Sequence, residues 1–191
     1  MTHLYLVRHG QTDWNVEGRW QGQADVPLNV RGRQQAAQVA RALSKLGLVA
    51  IYSSDLLRAR ETADTLAALT GLEVQLDPRL REIHQGQWQG MLVTEIQERY
   101  GEAFQRRKDD PLNVAPPGGE TVLQVKERVV DAVEDIIQQH LQERVAVVSH
   151  GFALAVIQVH YQNRPVTDAW KMIPENDEWR ELFIPNHSSP S

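Results

Sequence analysis

Two short runs of this chain end in the same way. Leu4 to Val7 is apolar and stops abruptly at Arg8-His9-Gly10; Arg144 to Ser149 carries alternating valines and stops at His150-Gly151. Each reads as a buried strand that delivers an imidazole to its C-terminal tip. In open α/β sheets that is the end where ligands bind. One such tip alone reads as an ordinary strand-to-loop turn. Two of them in one parallel sheet bring both imidazoles to one crevice. Arg8 stands beside the first, and Arg58 lies near the start of a later helix, where backbone N–H groups favour an anion. Guanidinium groups keep their charge, and their planar forks match phosphate oxygens. A neutral imidazole is a competent nucleophile, and its attack on phosphorus gives a phosphoramidate that water can hydrolyse. Glu82 adds a carboxylate suited to proton transfer.

Taken singly, these residues have plainer readings. Arg58 alone fits a solvated helix face, and Glu82, after Arg79-Leu80-Arg81, fits a surface salt bridge. His84 reads as a satisfied or solvent-facing histidine, and His3, His140, His160, His187 and Arg60 as surface residues. A metal site built from His9, His150, Glu82 and His84 is a rival for the cluster. No His-Glu-x-x-His or comparable paired spacing supports it, and two permanent cations would repel the ion. Trp14, Trp20, Trp88, Phe152 and residues 92–110 are candidates to line a pocket, with core or cap packing as their alternative. No Gly-x-x-x-x-Gly-Lys-Ser/Thr loop is present, so an ATP-dependent kinase is unsupported.

The elements that must position these groups alternate. Asn29 caps a helix whose apolar positions are Ala36, Val39, Ala40, Leu43 and Leu46, with Gly47 as its stop. Leu48 to Ser53 is a second buried strand. Ser54 and Asp55 cap a helix that holds Arg58 and runs to Gly71, and Leu72 to Leu76 is a short third strand. This rhythm predicts a parallel α/β sheet with right-handed crossovers. Residues 77–90 are polar and read as a loop; 92–108 read as helical with a break at Tyr100-Gly101. Pro111 to Gly119 is a turn-rich connector before a long amphipathic helix from about Thr121 to Leu141. The His150 strand, a helix from Phe152 to Tyr161 and an edge strand at 178–184 complete the pattern.

Composition is that of an ordinary folded domain: 191 residues, 41% apolar and 24% charged, enough for one substantial core. A net charge of −5 disfavours nucleic acid or an anionic membrane as a partner, though a basic pocket for a small anion is compatible with it. The absence of cysteine excludes disulfides, thiol nucleophiles and Cys-based metal sites. No targeting signal or membrane span is expected, and the default compartment is cytoplasmic.

Arg8-His9-Gly10 after its strand, followed by Thr12, Asn15 and Gly22, resembles the histidine phosphatase superfamily in its phosphoglycerate mutase-like branch. The resemblance continues through Arg58, Glu82, Gly86 and Pro116-Pro117-Gly118-Gly119-Glu120 to His150-Gly151, which is most of the chain. It implies a single-domain three-layer α/β/α sandwich over residues 1–184, with a mostly parallel sheet and a small helical cap insertion at about 85–118; the Ser- and Pro-rich tail at 185–191 is expected to be disordered. The resemblance implies that His9 is the nucleophile and that Arg8, Arg58 and His150 hold the transferring phosphoryl group. Glu82 then protonates the leaving oxygen and later activates water. Asn15, Gln21, Gly22 and Gly151 join Arg8, Arg58 and His150 in phosphate binding, although relatives often place Thr or Ser where Gln21 stands.

The implied activity is hydrolysis of a small phosphorylated metabolite, with no metal and no cofactor. The alternatives are a 2,3-bisphosphoglycerate-dependent mutase and a catalytically silent phosphate-binding module. Family mutases carry a long lid after the glutamate, whereas Thr121 follows Glu82 here within about 40 residues. They also commonly place Asn where Phe152 stands. Arg106-Arg107 points the other way, because mutases carry paired arginines in that region. The sequence does not fix the oligomeric state, a homodimer being one form it allows.

Overall fold

The computed structural model describes residues 1–176 and 178–185. Among these, five strands form one sheet: β1 (Thr2–Arg8), β2 (Ala50–Ser53), β3 (Val74–Leu76), β4 (Arg144–Ser149) and β5 (Trp179–Ile184). Their order is β3-β2-β4-β1-β5, with β5 alone antiparallel. β1, β2 and β4 are central, and both their faces are covered, which is why their side chains are apolar without polar alternation. Successive side chains go to opposite layers. Leu4, Leu6, Tyr52, Val145 and Val147 pack against α5 (Val122–Gln139) and α6 (Gly151–Tyr161). Tyr5, Val7, Ile51, Ala146 and Val148 pack against α2 (Val30–Leu43) and α3 (Leu57–Thr70). The three-layer α/β/α sandwich with a mostly parallel sheet is therefore present as expected.

Two helices open on the caps that the sequence offers. Asn29 accepts from Gly32 N and opens α2, and Thr121 makes a capping box with Gln124 to open α5, as such residues do. Val122, Val125, Val129, Val133 and Ile136 then form the buried stripe of α5. Each such side chain contributes about 1.5–3 kcal/mol by leaving water.

Several boundaries differ from expectation. α2 ends at Leu43 rather than at Gly47, so Leu46 lies outside it. The segment after His9 is not all loop, because Thr12 caps a short helix, α1 (Asp13–Glu17). α3 begins after Leu56, without a side-chain cap from Ser54 or Asp55. Those two residues have other partners, described below. Residues 166–171 form a 3-10 turn that the sequence left unassigned. The tail expected to be disordered lies, beyond Pro185, outside the described residues, as does His187.

The cap insertion consists of a 3-10 turn, Gly86–Trp88, and α4 (Val93–Asp109), which is kinked at Tyr100 as its Tyr-Gly pair suggested. Trp88 is buried beneath Trp20, Tyr100 and Phe104, with ring centroids 5.8–6.4 Å apart. These aromatics pack the cap. Gly86 is obligatory here: at φ +52° its Cβ would fall 2.1 Å from the Pro117 carbonyl oxygen. That close approach ties the Gly86 turn to Pro116-Pro117-Gly118-Gly119. Among the described residues no helix is long and apolar enough to cross a membrane.

Candidate active site

Strand register assembles the site. Arg8 pairs with Ser149 across β1 and β4, and Ser53 pairs with Val148 across β2 and β4. The next residues, His9, His150 and Ser54, therefore leave three adjacent parallel strands at one end of the sheet. His9 N donates to Ser149 O at 3.0 Å and Ser54 N to Val148 O at 3.0 Å, which prolongs the ladder by one step. The two imidazole centroids lie 5.2 Å apart.

His9 is 3% exposed. Its Nδ1 lies 2.7 Å from the Gly10 carbonyl oxygen, an acceptor, so the ring proton sits on Nδ1. The Nε2 lone pair faces the Arg58 Nε–H at 3.2 Å. Burial, and then the charges of Arg58 and Arg8, hold the imidazole well below its ordinary value of 6.5. His9 is thus neutral at neutral pH, with its basic nitrogen turned to a cation. His150 is fully buried and is also held well below 6.5, by burial first and then by Arg58, His9, Arg128 and Arg8.

Arg58 is not a solvated helix-face residue: it is 1% exposed. Its Nη2 donates to Gly22 O at 2.7 Å and its Nη1 to Ala24 O at 2.8 Å. The carbonyls lock the guanidinium behind His9, and burial lowers its pKa to about 10, so it stays charged. Arg8 donates through Nη1 to Pro174 O, while its buried Nε has no protein partner among the described residues. Gly151 lets that guanidinium in. A Cβ there would lie 3.3 Å from Arg8 Cζ and 2.9 Å from Ile173 Cγ2.

Glu82 does not form the surface salt bridge its neighbours suggested. Arg81 pairs with Asp55, and Arg79 with Asp77 and Asp135. The Glu82 carboxylate instead sits at the start of α6. Its Oε1 accepts from Ile83 N (2.9 Å) and Ala153 N (3.1 Å), and its Oε2 from Phe152 N (3.0 Å). A carboxylate is favoured there by the unpaired N–H groups and the helix dipole. Its charge reaches both Arg8 and Arg58.

The lesser candidates are placed less directly. Asn15 lies in α1, where its Oδ1 accepts from Thr12 N and Thr12 Oγ1. Gln21 Oε1 lies 3.0 Å from the same hydroxyl and competes with Asn15 Oδ1 for its single proton. Both amides border the His9 loop, and their oxygens are engaged within it. His84 Nδ1 accepts from Gly86 N, the satisfied histidine expected. Phe152 is buried and stacks on Trp170, with centroids 4.2 Å apart. Arg106 and Arg107 do not act as a pair. Arg106 is exposed, and Arg107 is buried in the cap and donates to Val114 O.

Three supporting residues escaped the sequence reading. Asn176 Nδ2 donates to the His9 carbonyl at 3.0 Å. Arg128, on the polar side of α5, donates to the carbonyls of Arg79, Arg81 and Glu82. It also pairs with Glu120, whose carboxylate accepts from His84 N. Although burial opposes it, Arg128 and that N–H hold the Glu120 carboxyl below its ordinary range. Arg128 and Glu120 together clamp the chain on both sides of Glu82. Ser54, read as a helix cap, places Oγ 2.8 Å from His150 Nε2.

Known proteins share this arrangement of elements. The chain is 43% identical over 150 residues to phosphoserine phosphatase 1 of Hydrogenobacter thermophilus, covering 78% of this chain and 71% of that one. It is 39% identical over 157 residues to a probable phosphoglycerate mutase, GpmB, of Escherichia fergusonii, covering 82% and 73%. A solved mycobacterial glucosyl-3-phosphoglycerate phosphatase in complex with VO3 superposes with a TM-score of 0.85 at 35% identity, covering 95% of this chain and 90% of that one. The family model of the histidine phosphatase superfamily (branch 1) matches residues 4–188. The chain belongs to that superfamily.

Proposed function

We propose that this protein hydrolyses a small phosphomonoester through a phosphohistidine on His9. The observation that carries the reading is the state of His9: neutral, fixed by Gly10 as the Nδ1–H tautomer, with Nε2 presented beside Arg58. Nε2 attacks phosphorus and the bond to the substrate oxygen breaks, with Glu82 supplying the proton that oxygen needs. Water, deprotonated by Glu82, then attacks phosphorus; the P–N bond breaks, and phosphate leaves with His9 restored. Arg8, Arg58 and His150 hold the phosphoryl oxygens through both steps, a stabilisation that depends on fixed charge and donors. Asn15, Gln21, Gly22 and Gly151 border the same group.

The mechanism needs no metal. Among the described residues no three His, Asp or Glu side chains gather as metal ligands, and Arg8 and Arg58 already bring fixed positive charge to the site. Hydrolysis is favoured over mutase transfer because the cap is short and Arg106 and Arg107 diverge. The named phosphatases among the relatives act on small phosphorylated compounds, and a substrate of that class is proposed here.

The test is rapid quench with a labelled monoester chosen from a metabolite panel, in buffer containing EDTA. An acid-labile, alkali-stable label on His9 and net release of inorganic phosphate are expected. Label on another residue, full activity in His9→Ala, or activity lost to EDTA and restored by a divalent metal would overturn the mechanism. Interconversion of phosphoglycerates with 2,3-bisphosphoglycerate, far faster than hydrolysis of any monoester, would overturn the choice of hydrolase.

A further inference from the structure

A neutral imidazole carries one ring proton, and its position decides what His150 offers the site. On Nδ1 it makes that nitrogen a donor; on Nε2 it leaves Nδ1 as a bare lone pair. An anionic phosphoryl oxygen is held by the first arrangement and repelled by the second. His150 is fully buried, its Nε2 is 2.8 Å from Ser54 Oγ, and its Nδ1 has no protein partner among the described residues.

Ser54 supplies the missing information. It is itself fully buried, and its Oγ already accepts the Leu56 N–H at 3.3 Å. Its single hydroxyl proton therefore needs an acceptor, and His150 Nε2 is the one at hydrogen-bond distance among the described residues. If Nε2 carried the ring proton instead, the serine proton would be left buried and unpaired. That arrangement strands two groups, the serine proton and the Nδ1 lone pair, whereas the Nδ1–H form strands only the Nδ1–H. We infer that Ser54 is a positioning residue, whose hydroxyl donates to His150 Nε2 and fixes the Nδ1–H tautomer. The orphan Nδ1–H is then a donor free for an anion, and the Nε of Arg8, packed against the neighbouring Gly151, is likewise unpaired. His9 and His150 are thus fixed in the same tautomer by different devices. A carbonyl acceptor at Nδ1 puts the His9 lone pair on Nε2, beside Arg58 Nε–H, and a hydroxyl donor at Nε2 leaves His150 Nδ1–H free to bind.

The inference rests on the phosphohistidine reading above, and its test separates the two. The full-length protein, with nitrogen-15 in its histidines, is examined by long-range proton–nitrogen correlation at pH 7.5; the His150 signals are those missing from His150→Gln. The Nδ1–H tautomer is expected for His150 in the wild type, and its loss or mixing in Ser54→Ala. Formation of phosphohistidine in a single turnover should slow about 10–100-fold in Ser54→Ala, by analogy with partners that orient metal-ligating histidines. Ser54→Thr, which keeps the hydroxyl, should restore both readouts. An Nε2–H tautomer in the wild type would overturn the inference whether or not the variants fold. An unchanged tautomer and rate in Ser54→Ala would do the same. A wild type that shows the Nδ1–H tautomer yet never labels His9 would instead sink the phosphohistidine reading and leave Ser54's role intact.

Discussion

Replacing Glu82 by Gln separates its chemistry from its place at the start of α6. Gln can neither give a proton to an alkoxide nor take one from water. General acid catalysis contributes about 10²–10⁴-fold, or about 2.7–5.4 kcal/mol at about 1.36 kcal/mol per tenfold. The structural cost is smaller and can be worked bond by bond. With the amide oxygen in the place of Oε1, the bonds from Ile83 N and Ala153 N persist. The amide NH2 then meets the Phe152 N–H head on. One orphaned buried donor costs about 1–3 kcal/mol, and losing a charge at the helix N-terminus adds about 0.3–1 kcal/mol. The midpoint of thermal unfolding should fall by about 2–4 °C for each kcal/mol lost, so kinetics belong at a temperature well below the variant's transition. There, single-turnover formation of phosphohistidine is measured with an alkyl phosphate and with p-nitrophenyl phosphate. The alkyl substrate leaves as a strongly basic alkoxide and should show the full loss, while the aryl substrate, whose leaving group is already stable, should lose much less. Equal losses would mean that Glu82 acts by holding α6, and with it His150, in place. The general-acid role would then be withdrawn.

Two further outcomes follow from the same geometry. His9 and His150 stay neutral in the fold well below 6.5, while in the unfolded chain they take up protons as pH falls through about 6.5. The unfolded state therefore binds more protons below that pH, and stability present above it should fall as pH drops, by up to about 1.4 kcal/mol per pH unit for each histidine. Urea unfolding at pH 5.5 and 7.5 measures this, and a slope that is not flattened in His150→Gln would refute the assignment. Gly151→Ala places a methyl against Arg8 Cζ and Ile173; overpacking of this kind costs about 1–3 kcal/mol. Vanadate affinity should fall at least tenfold as the guanidinium is displaced, and unchanged affinity would show that Arg8 does not hold the anion.

What the sequence made legible, and what it hid, divides along a physical line. Arg58, which alone reads as a helix-face residue, stood out through the resemblance, whereas His9, His150 and Arg8 could be found because each adjoins a strand tip, a local pattern of apolar residues and glycine. The edge strand β5 and the kink at Tyr100 were legible for the same reason. Register was not: no local pattern says that Arg8 lies opposite Ser149, or that Ser53 lies opposite Val148. Everything that depends on it stayed hidden. Ser54 reads as a cap because serine before a helix usually is one, and its partner ring lies 96 positions away. Arg128 gave no signal, because three of its acceptors are main-chain carbonyls, which have no side-chain signature, and its partner Glu120 lies eight positions away. Asn176 binds a carbonyl in the same way, from an irregular segment. Glu82 fell between these cases. Its motif pointed to chemistry and its neighbours to a salt bridge, yet Arg79 and Arg81 are occupied by aspartates. Their pairing leaves the Glu82 carboxylate to the N-terminus of α6, and the backbone that Arg128 clamps is the same backbone that aims it. The candidate site residues thus lie in local sequence patterns, whereas those that position them act mostly through the backbone.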